Sequence, residues 1–362
     1  MRIAQIAPLF ESVPPAGYGG TERVVSYLTE ELVRQGHEVT LFASGDSVTA
    51  ARLHAPRLRS LRLDPAGTTP LLSHVLMMEQ VAQLAGSFDL LHFHTDHLHF
   101  PLARRVGTPH VTTLHGRLDL PDLVPLYQEF TDAPVVSISE AQRQPLPWAN
   151  WQATVYHGLP PSLLMPGDGS GGYLAFLGRI SPEKRVDRAV EIARRAGLPL
   201  RVAAKVDAQD ADYYATVEGL LRQPGVEFIG EIGEAEKGEF LGRALALLFP
   251  IDWPEPFGMV MIEAMACGTP VVAFRRGSVP EVIDEGVSGV MVDDVEQAVC
   301  AVELAATLDR ATVRRRFDER FSAERMARDY VRLYEALVRA QAAPVPIPPP
   351  LLTPVRAIGL AQ

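Results

Sequence analysis

Residues 157–172, HGLPPSLLMPGDGSGG, contain three Pro and five Gly and show no hydrophobic periodicity. Before this stretch, short runs rich in Ile, Val and Leu alternate with amphipathic segments, and the same alternation begins again with YLAFLG at 173–178. Such alternation predicts a parallel sheet with helices on both faces. Because a Gly- and Pro-rich stretch separates two such series, the sequence predicts two doubly wound α/β domains in tandem, joined by a linker.

The strand-like segments of the first half lie at 2–7, 38–43, 89–93, 110–114, 134–138 and 153–156. Those of the second half lie at 173–178, 200–204, 226–229, 245–249 and 270–274. Helix-like segments at 21–35 and 71–86 separate the first strands. We therefore predict an N-terminal Rossmann-like domain at 1–158, a C-terminal one at 159–341, and a cleft between them.

The C-terminal part of the chain contains one long amphipathic segment and then a Pro-rich tail. The segment SAERMARDYVRLYEALVRA at 322–340 predicts a helix with a Ser cap and with Glu324 in its first turn. We expect this helix to close the second domain. The prolines of residues 342–362 oppose helix formation, so we predict a disordered tail there.

Composition and charge narrow the class of protein. The chain has 362 residues, is 47% hydrophobic and carries a formal net charge of −10, so a nucleic-acid backbone would be repelled rather than bound. The only two cysteines, Cys267 and Cys300, favour a reduced, cytoplasmic compartment. The opening MRIAQIAPLFES is too short an apolar run for a membrane span, and we expect no integral membrane segment.

In open parallel sheets, ligands bind at the carboxyl ends of the strands, which makes the residues after each strand the first candidates. The first strand is followed by PLFESVPPAGYGGTER at 8–23, where Gly19 and Gly20 allow the backbone to approach a ligand and Thr21 can cap the next helix. The glycine spacing is not GxGxxG, which weighs against a nicotinamide-binding domain. We predict that Gly19 and Gly20 contact substrate.

A run of histidines follows the strand at 89–93. HFHTDHLHF at 92–100 contains four of the ten histidines of the chain: His92, His94, His97 and His99. A zinc site is one interpretation, but alternate strand residues point to opposite faces and no Cys or carboxylate has a recognisable ligand spacing. We favour polar residues lining a cleft, with Asp96 a substrate-binding candidate; buried, hydrogen-bonded imidazoles are the alternative. The next strand ends in TTLHGRLD, which places His115 at the ligand edge.

The second half carries cations where an anion could bind. In FLGRISPEKRVDRAVEIARR at 176–195, Arg179 follows a strand and Lys184 lies near a helix start that Ser181 and Pro182 favour. Two cations beside the positive end of a helix suit a diphosphate. Only three residues of the chain are Lys, so Lys184 stands out among the many arginines.

Two carboxylates flank an apolar segment in PIDWPEPFGMVMIEAMACGTP at 250–270. Glu255 lies between two prolines in an extended loop, and Glu263 lies about two turns into a helix that starts with FGMVMIEAMACG at 257–268. Carboxylates in a phosphate-binding cleft would repel the phosphates. We therefore expect both glutamates to bind hydroxyl groups and the cations to bind the phosphates.

Taken in order, these motifs resemble the family 4 glycosyltransferases of the GT-B fold, over all of the chain except the tail. The matching segments are GGTERVVSYLTEELVRQGHEV at 19–39, TTLHG at 112–116, VVSIS at 135–139, FLGRISPEKRVD at 176–187 and PEPFGMVMIEAMACGTPVVA at 254–273. The last segment resembles the two-glutamate motif of that family.

The resemblance implies a role for each candidate residue. Arg179 and Lys184 bind the donor diphosphate, Glu255 contacts the donor sugar, and His115 approaches that sugar. Glu263 holds the nucleotide ribose. We assign catalytic roles to His115, Arg179, Lys184 and Glu255, and substrate-binding roles to Gly19, Gly20, Asp96, Phe257, Gly258, Met259 and Glu263.

The implied reaction is the transfer of a hexose from a nucleotide diphosphate sugar to a hydroxyl group of a small-molecule or glycan acceptor, with retention of configuration. No metal and no further cofactor are expected. UDP-glucose is the first expected donor and GDP-mannose the second. The alternatives are a nucleotide-sugar epimerase, a phosphorylase with Lys205 as its pyridoxal-binding lysine, or a nucleotide-sugar-binding protein without catalysis.

The sequence departs from the family pattern at two places. Arg185 follows Lys184 where the family usually has Gly, and the pair His157-Gly158 replaces the usual Asn-Gly near the linker. The first departure predicts a slight change in the phosphate loop, and the second puts acceptor or linker contacts in doubt.

Overall fold

The computed structural model describes residues 1–17, 19–64 and 69–342, which form two separate parallel sheets. The strands of the first sheet are β1 Arg2–Ile6, β2 Glu38–Phe42, β3 Arg52–His54, β4 Leu90–Phe93, β5 His110–Thr113, β6 Val135–Ser137 and β7 Trp151–Thr154. Their order across the sheet is β3-β2-β1-β4-β5-β6-β7. The helices of this half are α1 Gly20–Arg34, α2 Pro70–Leu84, α3 Phe100–Ala103 and α4 Leu123–Glu129.

The strands of the second sheet are β8 Leu174–Arg179, β9 Leu200–Lys205, β10 Val226–Gly230, β11 Ala246–Phe249, β12 Val271–Phe274 and β13 Gly289–Val292. Their order is β10-β9-β8-β11-β12-β13. The helices that follow in the chain are α5 Val186–Ala196, α6 Ala211–Leu221, α7 Glu234–Gly242, α8 Met259–Ala266, α9 Val279–Val282, α10 Val295–Ala306, α11 Arg310–Arg320 and α12 Ala323–Ala342. In both sheets the strand order reverses beside the first strand of the half, as in doubly wound folds.

The central strands are buried because helices cover both faces of each sheet. All side chains of β4, β11 and β12 are buried, which explains why their sequences are continuous apolar runs rather than alternating ones. The predicted α/β class with two doubly wound sheets is confirmed. Two short strands, β3 and β13, were missed: the first has three residues and the second begins with a glycine.

The linker is fixed to the junction between α11 and α12. The backbone N–H of Leu159 donates to the carbonyl oxygen of Phe321 at 2.9 Å, and the N–H of Ala323 donates to the oxygen of Leu159 at 2.8 Å. A Cβ atom on Gly158 would lie 2.3 Å from the carbonyl oxygen of Ser322, so only glycine fits there. The limits of the two domains, 1–158 and 159–341, stay a prediction.

Helix α12 does not close the second domain as predicted. Its Tyr334 hydroxyl lies 3.2 Å from the side-chain nitrogen of Gln5 and 2.7 Å from Nδ1 of His92, and the hydroxyl of Tyr330 lies 2.8 Å from Thr113. All three partners belong to the first sheet. The helix therefore returns to the first half, a long-range contact that its own periodicity could not reveal.

Two further expectations concern the C-terminal tail and membrane-spanning segments. The predicted Pro-rich tail lies beyond Ala342, outside the residues that the structure describes. Of the helices in the described part of the chain, none is both long enough and apolar enough to cross a membrane.

Gly158→Ala should lower the thermal unfolding midpoint, because the new methyl group would push the linker away from the α11–α12 junction. Overpacking of this kind costs about 1–3 kcal/mol. Scanning calorimetry would measure it, with Gly219→Ala as the control, since Gly219 lies in α6 with open space around its Cα. Alanine at that helical position should raise stability slightly. Equal midpoints for Gly158→Ala and the unmodified protein would contradict the linker account.

Candidate active site

A cavity of about 380 Å³ lies at the carboxyl ends of both sheets and is lined by both halves of the chain. It brings together ten of the eleven predicted site residues: Gly19, Gly20, His115, Arg179, Lys184, Glu255, Phe257, Gly258, Met259 and Glu263. The eleventh, Asp96, is not among the residues that line it. Asp96 adopts a left-handed backbone with φ of 51° in the exposed turn after β4.

The buried Glu255 and the partly buried Lys184 form an ion pair on one side of the cleft. The Lys184 Nζ atom contacts Oε2 of Glu255, and the indole Nε1 of Trp253 donates to the same oxygen at 2.8 Å. The ammonium group also lies 5.4 Å from the ring centroid of Trp253. Because Glu255 is only 8% exposed, its charge needs these partners.

The backbone of Glu255 is positioned by a glycine that the sequence did not single out. Gly277 has φ of +53°, and a Cβ there would lie 2.4 Å from both the nitrogen and the oxygen of Glu255. The N–H of Ser278 donates to the Glu255 carbonyl at 2.9 Å, and its hydroxyl donates to the Phe257 carbonyl at 2.9 Å. The loop after β12 therefore holds the loop that carries Glu255.

Glu263 is paired with a lysine that the sequence prediction missed. It lies on α8 and is 4% exposed, and its Oε1 lies 2.6 Å from Nζ of Lys237 on α7. Lys237 also lies 3.5 Å from Glu234, which forms an ion pair with Arg23 of α1. These charges connect the first half of the molecule to the second beside the cleft.

A compositional signal could have found Lys237. The three lysines of the chain are Lys184, Lys205 and Lys237, and all three line the cavity. The scarcity of lysine, which singled out Lys184, singles out Lys205 and Lys237 equally. Lys205 ends β9 and lies 2.8 Å from Asp207.

Two further features of an anion site, Arg179 and the N-terminus of α8, also line the cleft. The Nε of Arg179 lies 3.0 Å from Asp210 and its Nη2 lies 3.8 Å from Glu183. Gly258 caps the start of α8 with φ of +76°, where a Cβ would lie 2.8 Å from Met261. The N-terminus of α8 therefore reaches the cleft and carries the partial positive charge of a helix end.

At the first departure from the family pattern, Arg185 adopts a backbone conformation that is typical of glycine. Arg185 has φ of 53°, the left-handed region that a glycine adopts readily, and its guanidinium pairs with Asp187 at 2.7 Å and Asp252 at 2.8 Å. His157 lines the cleft and stacks on His115 with ring centroids 5.3 Å apart, and it meets the Phe257 ring edge-on at 4.8 Å.

The histidine run is mostly a buried hydrogen-bonded network, which was the alternative interpretation. His92 and His99 are fully buried and bond to Thr113 and Thr112, whereas His97 is exposed. Among residues 1–17, 19–64 and 69–342, no group of three or more His, Cys, Asp or Glu side chains is arranged to hold a metal ion.

His115 lines the cavity beside His157, and His94 bonds to His115 at 2.9 Å. Burial lowers the pKa of His115 to about 3 and the pKa of His94 well below 6.5. Burial likewise holds the pKa of His157 well below its usual value. All three imidazoles are therefore neutral near pH 7.

Two protein families match this chain in adjoining regions. Residues 18–152 match Glycosyltransferase Family 4, and residues 168–322 match the Glycosyl transferases group 1. An uncharacterized glycosyltransferase of Methanocaldococcus jannaschii is 23% identical over 312 residues, which is 78% of this chain and 84% of that one. A D-inositol 3-phosphate glycosyltransferase of Mycolicibacterium smegmatis is 34% identical over 151 residues, 38% of this chain and 32% of that enzyme.

Solved structures show the same architecture. AviGT4, a glycosyltransferase involved in avilamycin A biosynthesis, has a TM-score of 0.69 at 25% identity, with 94% of this chain and 98% of that one covered. The sucrose-phosphate synthase of Thermosynechococcus elongatus has a TM-score of 0.76 at 20% identity, with 94% and 100% covered. Anabaena HepE, solved with UDP and glucose, has a TM-score of 0.69 at 19% identity, with 93% and 100% covered.

The chain therefore belongs to the glycosyltransferases of family 4 type with the GT-B fold. It is an enzyme of the transferase class.

The buried neutral histidines predict a loss of stability in mild acid. The folded pKa of His115 is about 3 and the unfolded one about 6.5, so between these values the unfolded chain binds more protons and stability falls as pH falls. Each such histidine should lower the free energy of unfolding by about 1.4 kcal/mol per pH unit below pH 6.5. Urea unfolding between pH 7.5 and 5 measures this, and His115→Gln should show a smaller slope. A stability that stays constant down to pH 5 would contradict the assignment.

Proposed function

We propose that the protein is a retaining hexosyltransferase that moves a hexose from a nucleotide diphosphate sugar to a hydroxyl group of a small-molecule or glycan acceptor. The observation that carries this proposal is the pairing of partly buried lysines with two buried glutamates in one cleft, Lys184 with Glu255 and Lys237 with Glu263. Such a cleft offers cations for phosphates and carboxylates for hydroxyls. Retention is included because the family resemblance implies it.

The diphosphate is proposed to lie between Arg179, Lys184 and the N-terminus of α8. When phosphate oxygens take over the ammonium of Lys184, the carboxylate of Glu255 loses that partner and becomes available to sugar hydroxyls. The indole N–H of Trp253 and the sugar hydroxyls then donate the hydrogen bonds that the buried carboxylate of Glu255 needs. Negative charge that develops on the leaving diphosphate is then stabilised by the same cations.

The ribose is proposed to bind Glu263. This carboxylate lies about one helical turn into α8, on the same cleft but beyond the proposed phosphate position, and Lys237 holds it in place. UDP-glucose is our first donor and GDP-mannose the second. The solved relative HepE, with bound UDP and glucose, supports a uridine nucleotide.

We propose that no metal ion takes part, because Arg179 and Lys184 supply positive charge where a divalent cation would otherwise neutralise the diphosphate. No further cofactor is proposed. Lys205, which a phosphorylase would need for pyridoxal, is paired with Asp207 and shares the cleft with the other lysines, an arrangement that suits a nucleotide site.

We place the enzyme in the cytoplasm, since Cys267 and Cys300 are both free thiols.

Glu255→Gln and Glu263→Gln should affect different kinetic constants. A contact to the reacting sugar strengthens in the transition state, so Glu255→Gln should lower kcat by about 10- to 100-fold. A contact to the ribose is equally strong in the ground state and in the transition state. Glu263→Gln should therefore mainly raise KM for the donor and weaken binding of UDP. The donor is first chosen by thermal shift, and turnover is then assayed with EDTA present.

Glu303→Gln is the matched control, because Glu303 is an exposed residue of α10 away from the cleft. It should leave both constants unchanged. The site map is wrong if Glu255→Gln weakens UDP and Glu263→Gln does not. Interconversion of the nucleotide sugar without any acceptor would instead identify an epimerase, and donor binding without turnover would indicate a binding protein.

A further inference from the structure

A chain of buried hydrogen bonds connects His115 to helix α12. It passes through Gln5, a fully buried residue of β1 whose side-chain amide lies between His94 and Tyr334. An amide has one end that only accepts and one end that only donates. Its orientation therefore sets the direction of every hydrogen bond connected to it.

Gln5 fixes the tautomer of His94. The Oε1 atom of Gln5 lies 2.8 Å from Nε2 of His94, and because a carbonyl oxygen can only accept, that Nε2 carries a proton. Burial lowers the pKa of His94 well below 6.5, so the ring is neutral and holds one proton. Nδ1 of His94 therefore has a lone pair and accepts.

His94 in turn fixes the tautomer of His115. Nδ1 of His94 lies 2.9 Å from Nε2 of His115, so His115 donates from Nε2. Its own ring is neutral near pH 7, which leaves Nδ1 without a proton. This Nδ1 atom is buried and has no hydrogen-bond partner among the described residues. The ring that carries it lines the cleft.

The other end of the Gln5 amide bonds to helix α12. The amide nitrogen of Gln5 donates to the hydroxyl of Tyr334 at 3.2 Å, and that hydroxyl then donates to Nδ1 of His92 at 2.7 Å. The remaining proton of His92 lies on Nε2, which donates to Thr113 at 2.7 Å. All bonds run in one direction, so rotating the amide would require each of them to reverse.

We propose that Gln5, acting through His94, holds His115 as the tautomer protonated on Nε2, so that His115 offers the cleft a hydrogen-bond acceptor at Nδ1 and no donor. Gln5 and His94 are positioning residues, and the group that satisfies Nδ1 is a ligand hydroxyl. That this hydroxyl belongs to the donor sugar rests on the proposed function. The tautomer does not.

The tautomer can be measured on the full-length protein without ligand, by nitrogen NMR of histidine-labelled material at pH 7.5, with His115→Gln to assign the signals. Nε2 of His115 should show the shift of a protonated nitrogen and Nδ1 that of an unprotonated one. The reverse pattern, or an averaged one, would overturn the proposal.

Gln5→Glu tests the origin of the tautomer. A carboxylate beside His94 favours the imidazolium form, which donates from Nδ1 as well, so His115 should invert to protonation on Nδ1. If that variant does not fold, Gln5→Met removes both polar ends and should give a mixture of the two tautomers. An unchanged His115 pattern in a folded variant would overturn the role of Gln5.

Thr112→Val is the matched control, because it removes the 2.6 Å bond to buried His99 outside this chain of bonds. The His115 signals should stay as they are, and a comparable inversion would refute the specific role of Gln5.

In Gln5→Glu, binding of UDP-glucose should weaken about tenfold while binding of UDP hardly changes. Equal weakening of both ligands would refute the sugar contact. Failure of UDP-glucose to bind the unmodified protein would refute the proposed donor and leave the tautomer result intact.

Discussion

Charge compensation inside the cleft is the constraint on which the rest of the site depends. Glu255 and Glu263 are almost fully buried, and a buried carboxylate without a partner is several kcal/mol less stable than one in water. The chain meets this constraint by placing Lys184 and Lys237 against them. The same pairing makes the cleft suited to a phosphorylated ligand with hydroxyl groups, since a phosphate can take the place of a carboxylate beside a lysine while hydroxyls donate to that carboxylate.

The constraint extends to the backbone that delivers these charges. Gly277 must lack a side chain so that the loop of Glu255 can pack against it, and Gly258 must be left-handed to begin α8 at the cleft. Hydrogen bonds between the two halves of the chain connect the first sheet and its loops to the second half. The carboxylate of Glu281 accepts from the backbone N–H groups of Glu140 and Ala141 at 2.7 Å each, and α12 returns to the first sheet.

The sequence was sufficient for features that depend on local patterns. Apolar runs identified the central strands, and residues at strand ends together with the family resemblance identified ten of the residues that line the cavity. It was insufficient where a feature depends on contacts distant in the chain. Lys237 pairs with a glutamate 26 positions away, and Tyr334 bonds to a residue 329 positions away, so no local periodicity could indicate them. Asp96 was selected for its neighbours in sequence, but it is not among the residues that line the cavity.

The most direct test of this account is a crystal structure of the protein with bound UDP. The account predicts that the diphosphate lies at the N-terminus of α8, with Nζ of Lys184 moved from Glu255 to a phosphate oxygen and the ribose hydroxyls on Glu263. A nucleotide bound outside the cleft, or one bound inside it with the pair between Lys184 and Glu255 intact and no cation on the phosphates, would contradict the claim that exchange of ionic partners creates the donor site.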